Sequence, residues 1–198
     1  MKKKTTQQRI LQHALELASV RGIEGIRLGP LAAQAHLSKS GLFAHFRSRE
    51  DLQIQLLATA ADVFHQEVIQ PAAQTPQGLP RLRALVGLWL GWAPRSGLPG
   101  GCPFVAAAAD LDDREGPVRE QLVLFQKRWF TTFQQFVEQA VTLGHLRADL
   151  DVVQFTWEVF GMYLMHHTWS RLLRDPEADQ HAHTAFEALV AAAQPTEP

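Results

Sequence analysis

The sequence predicts an all-α protein with a small basic head and a larger acidic helical body. Three observations lead there. Apolar residues recur at i, i+3/i+4 and i+7 along almost the whole chain, and no stretch alternates apolar and polar residues as a half-buried strand does. Charge is split: residues 1–52 hold nine Lys and Arg against four Asp and Glu, a surplus of +5, which leaves −6 for the rest of a chain whose total is −1. Residues 151–173 are apolar on nearly every side, and a helix of that kind must be covered all round. One chain of 198 residues can hardly do that alone, which implies a partner subunit.

The elements follow in order. Ile10, Leu11, Ala14, Leu15, Leu17 and Ala18 make a helix of 5–21, capped by Thr5 or Thr6 and ended by Gly22. "GIEGIRLG" is a turn carrying Ile23 and Ile26. A short helix at 30–36 has Pro30 in its first turn, where a missing N–H costs least. After "LSKS" a second short helix runs through Phe46. "RSRED" opens a long helix with Ser48 as N-cap and Asp51 three residues on, a capping-box-like pair. Its core stripe is Leu52, Leu56, Leu57, Ala60, Ala61, Phe64 and Val68, and it stops before the turn-like "QPAAQTPQGLP". Helices are then expected at 80–93 (Leu82, Leu85, Val86, Trp89, Leu90), 104–111, 117–143 and 151–173, and last at 177–193. The breaker-rich loop 93–103 and Gly144 separate them, and "QPTEP" is a frayed tail.

The bulk composition narrows the class. Hydrophobic residues at 46% and charged residues at 20% are ordinary for a globular chain. A single cysteine excludes an intrachain disulfide framework and fits a reducing compartment. Polar and charged residues interrupt the stretch after the lysines at 2–4, so the start is not a signal peptide. No apolar run reaches the roughly 18 residues of a membrane span, and a cytoplasmic address is expected.

The stretch "SKSGLFAHF" at 38–46 carries the functional argument. Two short helices joined by a tight turn follow helix-turn-helix logic, in which the second helix offers its N-terminal residues to the DNA major groove. Ala32, Ala33 and Leu37 allow the helices to approach, and Leu42 and Phe46 anchor the second in the core. Ser38, Lys39, Ser40, Gly41, Phe43, Ala44 and His45 remain on its outer side and leading end as DNA contacts. Lys39 and Arg49 would clamp phosphates and make binding salt-dependent. Phe43 would touch a thymine methyl or a sugar.

"GIEGIRLGPLAAQAHLSKSGLFAHFRSREDL" resembles the DNA-binding domain of the tetracycline-repressor (TetR) family of bacterial regulators. Lys39, His45 and Phe46 match the usual pattern. Ser40 stands where the family usually has glycine, Gly41 where it has a small polar residue, and Phe43 where tyrosine is common. Arg49 takes the place of a frequent phosphate-binding lysine, and Arg27 stands near the usual threonines as a substitute phosphate contact. "GGCPF", "DDREGPVR" and "GHLRADLD" look like one subgroup, for which the resemblance suggests no particular ligand. The resemblance implies a three-helix head at 1–50 and a helical body at 51–198 that binds a small-molecule effector. It further implies dimerisation through the helices at 151–173 and 177–193, a double-stranded palindromic operator and repression relieved by the effector.

For the effector, Trp89, Trp92, Cys102, Phe104, Phe125, Trp129, Phe160, Tyr163 and His167 are candidate lining, with His166 as a further polar group. Each also fits an ordinary core. Cys102 begins a helix, which keeps a thiol-switched regulator as the alternative. His166-His167 point about 100° apart on a helix and do not share one metal, His181-x-His183 lies in a polar stretch and is expected to be solvated, and "DLDD" at 110–113 is an acidic helix end read as a solvated loop rather than a carboxylate pair. No P-loop, GxGxxG or GxSxG pattern is present, so neither enzyme activity nor a cofactor is expected; the remaining rival is a helical carrier or enzyme without DNA binding.

Overall fold

The computed structural model describes residues 5–195. The lysines at 2–4 and the tail beyond Pro195 lie outside the described residues. Eleven α-helices are present among those described, and no strand. They are α1 (Thr6–Arg21), α2 (Leu28–Gln34), α3 (Lys39–Phe43), α4 (Arg49–Phe64), α5 (Gln70–Ala73) and α6 (Leu79–Trp89). Then come α7 (Trp92–Arg95), α8 (Pro103–Leu111), α9 (Pro117–Thr142), α10 (Val152–Thr168) and α11 (Ala178–Ala193). Single π-helical turns extend α4 at His65–Ile69 and α10 at Trp169–Leu173.

The chain divides into two compact units. The first joins the residues up to Phe64 with Ala93–Phe125. Its core is Ile10, Ala14 and Leu15 of α1 with Leu31, Leu42, Phe46, Leu52, Leu56, Leu57 and Ala60. The helix ends are fixed as the sequence requires. Thr5 closes a capping box with Gln8, and Gly22 takes a left-handed φ of 73°. Ser48 Oγ accepts the Asp51 N–H at 3.0 Å, although the Asp51 carboxylate reaches the Arg47 N–H (2.8 Å) rather than that of Ser48. His36 carries a φ of 58° in a Schellman turn after α2, with Leu37 N donating to Ala32 O at 2.8 Å.

Four expectations need correction here. Ala33 is exposed and Leu37 only half-buried; Ala35 supplies the close approach instead, because the Schellman turn rotates it inward. Ala61 is half-buried and the polar Gln53 takes a core position, its Nε2 satisfied by Ile23 O (3.3 Å) and Glu24 Oε1 (2.9 Å). The long helix does not stop ahead of Gln70: its backbone runs on through the π turn into α5, with Pro71, which has no N–H to donate, in the first turn of α5. The helix expected over 80–93 ends at Trp89, where Leu90 turns extended and Gly91 takes φ 67°, so the loop after it opens with the short α7.

The second unit joins His65–Trp92 with Gln126 onward. Leu82, Leu85, Val86 and Trp89 of α6 pack with Phe133, Val137 and Ala140 of α9, Phe155 and Val159 of α10, and Phe186 and Val190 of α11 in its core. Arg83 of α6 holds Glu187 of α11 with two bonds of 2.9 and 2.7 Å. Gly144, φ 71°, ends α9 in a second Schellman turn. The outer side of α10 is left uncovered: Val153, Trp157, Leu164, Met165, Trp169, Leu172 and Leu173 are exposed.

Candidate nucleic-acid interface and effector residues

α3 is five residues long, too short to hold itself together without help. Two features fix it. Ser38 caps its start, its Oγ accepting the Gly41 N–H at 3.0 Å and lying 2.9 Å from the Ser40 hydroxyl. Leu42 and, just beyond the helix, Phe46 are 1% and 2% exposed and root it in the head. With that side buried, Ser38, Lys39, Ser40, Phe43 and Ala44 are exposed, and Gly41 and His45 are half-buried. The structure therefore brings seven of the nine proposed contacts together on one short segment. Phe43 leaves 47% of its surface in water.

The other two stand apart. Arg27 is the exposed residue ahead of α2 and makes no capping bond. Arg49, at the start of α4, is exposed but engaged: its Nη2 donates to the Glu24 backbone carbonyl at 2.8 Å and lies 3.4 Å from the Glu24 carboxylate. Glu24 was not expected to matter, and neither was Asp110. The Asp110 carboxylate accepts the Glu24 N–H at 3.1 Å and lies against Gly22, where any Cβ would collide with it. The reading of 110–113 as a solvated helix end therefore fails for Asp110, which is half-buried, while Asp112 and Asp113 are exposed. Lysine, arginine and carboxylate types carry no local sign of a pairing across such a span.

The effector candidates fall into the two units. In the second, Trp89 stacks on Tyr163 (centroids 4.1 Å, planes 14° apart) and meets Trp129 at 5.0 Å and Phe160 at 4.8 Å. Trp92 is 1% exposed. His167 is half-buried; burial, the nearby Arg171 guanidinium and His166 hold its imidazole below the ordinary value. His166, the residue before it, is buried, with Nε2 2.6 Å from the exposed Asp179 and no hydrogen-bond partner for Nδ1. In the first unit, Phe104 meets Phe64 at 6.4 Å and Phe125 at 6.2 Å, both edge-on, and Cys102 is buried at the start of α8. His181 and His183 are exposed. Among the described residues no group of three His, Cys, Asp or Glu converges as a metal site would need, and no helix is long and apolar enough to cross a membrane.

A capped, core-anchored short helix following another across a tight turn, beside a larger helical body, defines a helix-turn-helix protein of the bacterial regulator type. The sequence model "Bacterial regulatory proteins, tetR family" matches residues 10–56, and "Tetracyclin repressor-like, C-terminal domain" matches residues 78–186. The chain belongs to the tetracycline-repressor family of transcriptional regulators. Solved structures of the same fold include a TetR transcriptional regulator from Chloroflexus aurantiacus (23% identity, 94% of this chain and 92% of that one, TM-score 0.82). Another is a TetR-family transcriptional regulator from Streptomyces coelicolor (20% identity, 96% of each chain, TM-score 0.80). A third is AibR in complex with isovaleryl coenzyme A and operator DNA (21% identity, 98% of this chain and 100% of that one, TM-score 0.73). Comparison with curated protein sequences finds no match.

Proposed function

We propose that this protein is a cytoplasmic, ligand-responsive repressor that binds a palindromic operator in duplex DNA as a homodimer. The observation that carries the reading is the division of the 38–46 segment: Leu42 and Phe46 are sunk in the core, and Ser38, Lys39, Ser40, Phe43 and Ala44 face water. Hydroxyls and an ammonium suit phosphate oxygens, and an exposed aromatic edge suits a thymine methyl or a sugar. Gly41 and His45, on the same segment, are secondary contacts, and Arg27, exposed ahead of α2, is a separate phosphate contact.

The effector residues we assign are those of the second unit: Trp89, Trp129, Phe160, Tyr163 and His167. The four aromatic rings touch one another, and Trp129, Phe160 and His167 are not fully sealed, so a flat or apolar ligand group has surfaces to meet. AibR, solved with both an acyl-coenzyme A and operator DNA, supports the pairing of a DNA head with a small-molecule body in this fold. The uncovered side of α10 and a cavity of about 460 Å³, with Met162, Met165, Trp169 and Ala182 in its lining beside His166 and His181, favour pairing of two copies through α10 and α11. The effector then selects a subunit arrangement in which the two heads no longer match the operator. By linkage, operator DNA weakens effector binding by the same factor. Cys102, at 4% exposure, is shielded from oxidants, which favours a ligand over a thiol switch.

The test is binding of the purified protein to duplex DNA from upstream of its own gene, at two salt concentrations, with and without thiol reductant. Tight, salt-sensitive, palindrome-dependent binding that ignores reductant is expected. No binding there, and none after selection from random duplexes, would sink the DNA reading. Dependence on reductant would transfer the switch to Cys102.

A further inference from the structure

Glu24 stands in the turn after α1 and is joined to three other segments of the first unit. Its N–H donates to Asp110 at the end of α8, and its carbonyl accepts from Arg49. One carboxylate oxygen accepts from Gln53 Nε2 at 2.9 Å. The other is shared by two cations: Arg49 Nη2 at 3.4 Å and Arg114 Nη1 at 2.9 Å. Arg49 comes from the start of α4, and Arg114 from the turn between α8 and α9. The carboxylate is 27% exposed, Arg49 45% and Arg114 57%, so water reaches the cluster and either arginine can leave it.

We propose that Glu24 is a positioning residue that sets how available Arg49 is to a DNA phosphate, with Arg114 as the competing cation. The inference rests on the DNA-binding reading above. A phosphate that takes the Arg49 guanidinium must draw it off Glu24. Arg114 makes that exchange easy, because the carboxylate keeps a cation when Arg49 departs. If the turn carrying Arg114 moves away, Glu24 is left with Arg49 alone and holds it back. The position of the α8–α9 turn is thereby converted into DNA affinity through one shared oxygen.

The test uses the full chain and a random-sequence duplex, with anisotropy titrations across a salt series for the wild type, Glu24→Gln, Arg114→Ala, Arg49→Ala and the two double variants Glu24→Gln/Arg49→Ala and Glu24→Gln/Arg114→Ala. Glu24→Gln should tighten binding about threefold, the size a partly exposed ion pair supports. It should also steepen the salt slope by up to about one unit. Arg114→Ala should weaken binding by a similar factor, and this loss should vanish when Glu24 is already Gln. Adding Arg49→Ala should erase the gain from Glu24→Gln. A gain that survives in the Arg49→Ala background would mean that only bulk charge had changed, and the proposal falls. So it does if Glu24→Gln leaves the affinity of a DNA-binding chain unaltered. Should Glu24→Gln unfold the head, the surface variant Arg114→Ala decides alone: unchanged or tighter binding overturns the proposal. A wild type that binds no duplex at any salt fails at an earlier step, and the DNA reading goes with this one.

Discussion

Lys39 and Leu42 stand three residues apart on α3 and have opposite duties. Leu42 is 1% exposed, so Leu42→Ala removes core volume and should cost about 2–5 kcal/mol in denaturant unfolding. Lys39 is exposed, so Lys39→Ala should leave unfolding nearly unchanged, weaken operator binding and flatten its salt slope by about one unit. Unchanged affinity would take Lys39 off the interface. Leu42 and Phe46 were legible as the apolar pair of the segment, but the helix expected to run through Phe46 ends at Phe43, and Phe46 is buried from the turn beyond it. His167 makes a different prediction. Its folded value lies below the ordinary imidazole value of about 6.5, first through burial and then through Arg171 and His166. Around and below that pH the unfolded chain takes up a proton that the folded chain resists, so stability falls as pH drops through about 6.5 toward the lower folded value. His167→Gln should flatten that slope in thermal melts; an unaltered slope would place the titration elsewhere. Glu24 and Asp110 could not be read in advance. They are 86 positions apart, and a carboxylate that accepts a distant N–H has the same local signature as one in water.

Helix ends were legible at the scale of elements, because capping is chemistry between near neighbours: Thr5, Gly22, Ser48 and Gly144 all lie at their predicted ends. The π turn after α4 was not. Phe64, Val68 and Ala72 are buried in steps of four, and such a step fits an α turn and a π turn alike, so periodicity cannot separate them. Pro71 then looks like a stop signal when it is the tolerated first turn of α5. The loop ahead of α8 shows what glycine does when backbones touch. Gly100 N donates to Ser19 Oγ at 3.0 Å and Gly101 N to Ser19 O at 2.9 Å, so the loop lies directly on the end of α1. A Cβ on Gly100 would collide with the Ser19 carbonyl oxygen. Gly100→Ala must therefore lift the loop off α1 and should destabilise the chain by about 1–3 kcal/mol, seen as a lower melting temperature. Gly97 has open space at the same test, so the substitution there probes only its positive φ. Equal losses at both positions would refute the packing argument.

For the whole molecule the question is what covers α10. Eleven large hydrophobic side chains are exposed among the described residues, and seven of them lie between Val153 and Leu173. A patch so concentrated is seldom left in water by a monomer. The sequence announced the problem, since a helix apolar on all sides needs cover, but it had no way to say which side would be left open. The fold answers that: Phe155, Val159, Tyr163 and His166 face inward, and Val153, Trp157, Leu164, Met165 and Leu172 do not. The double substitution Trp157→Glu with Leu172→Glu places two charges on this side without touching the buried one. It should leave helicity intact and convert the dimer expected in sedimentation velocity to a monomer. A monomer brings one head to the operator instead of two. The salt slope, which counts the phosphates neutralised, should then fall to about half, and affinity should drop at least about tenfold as the second attachment is lost. The two readouts must move together. A dimer that persists puts the interface on another face, and a monomer that keeps the full slope would mean that one head makes all the contacts, which would end the palindromic reading.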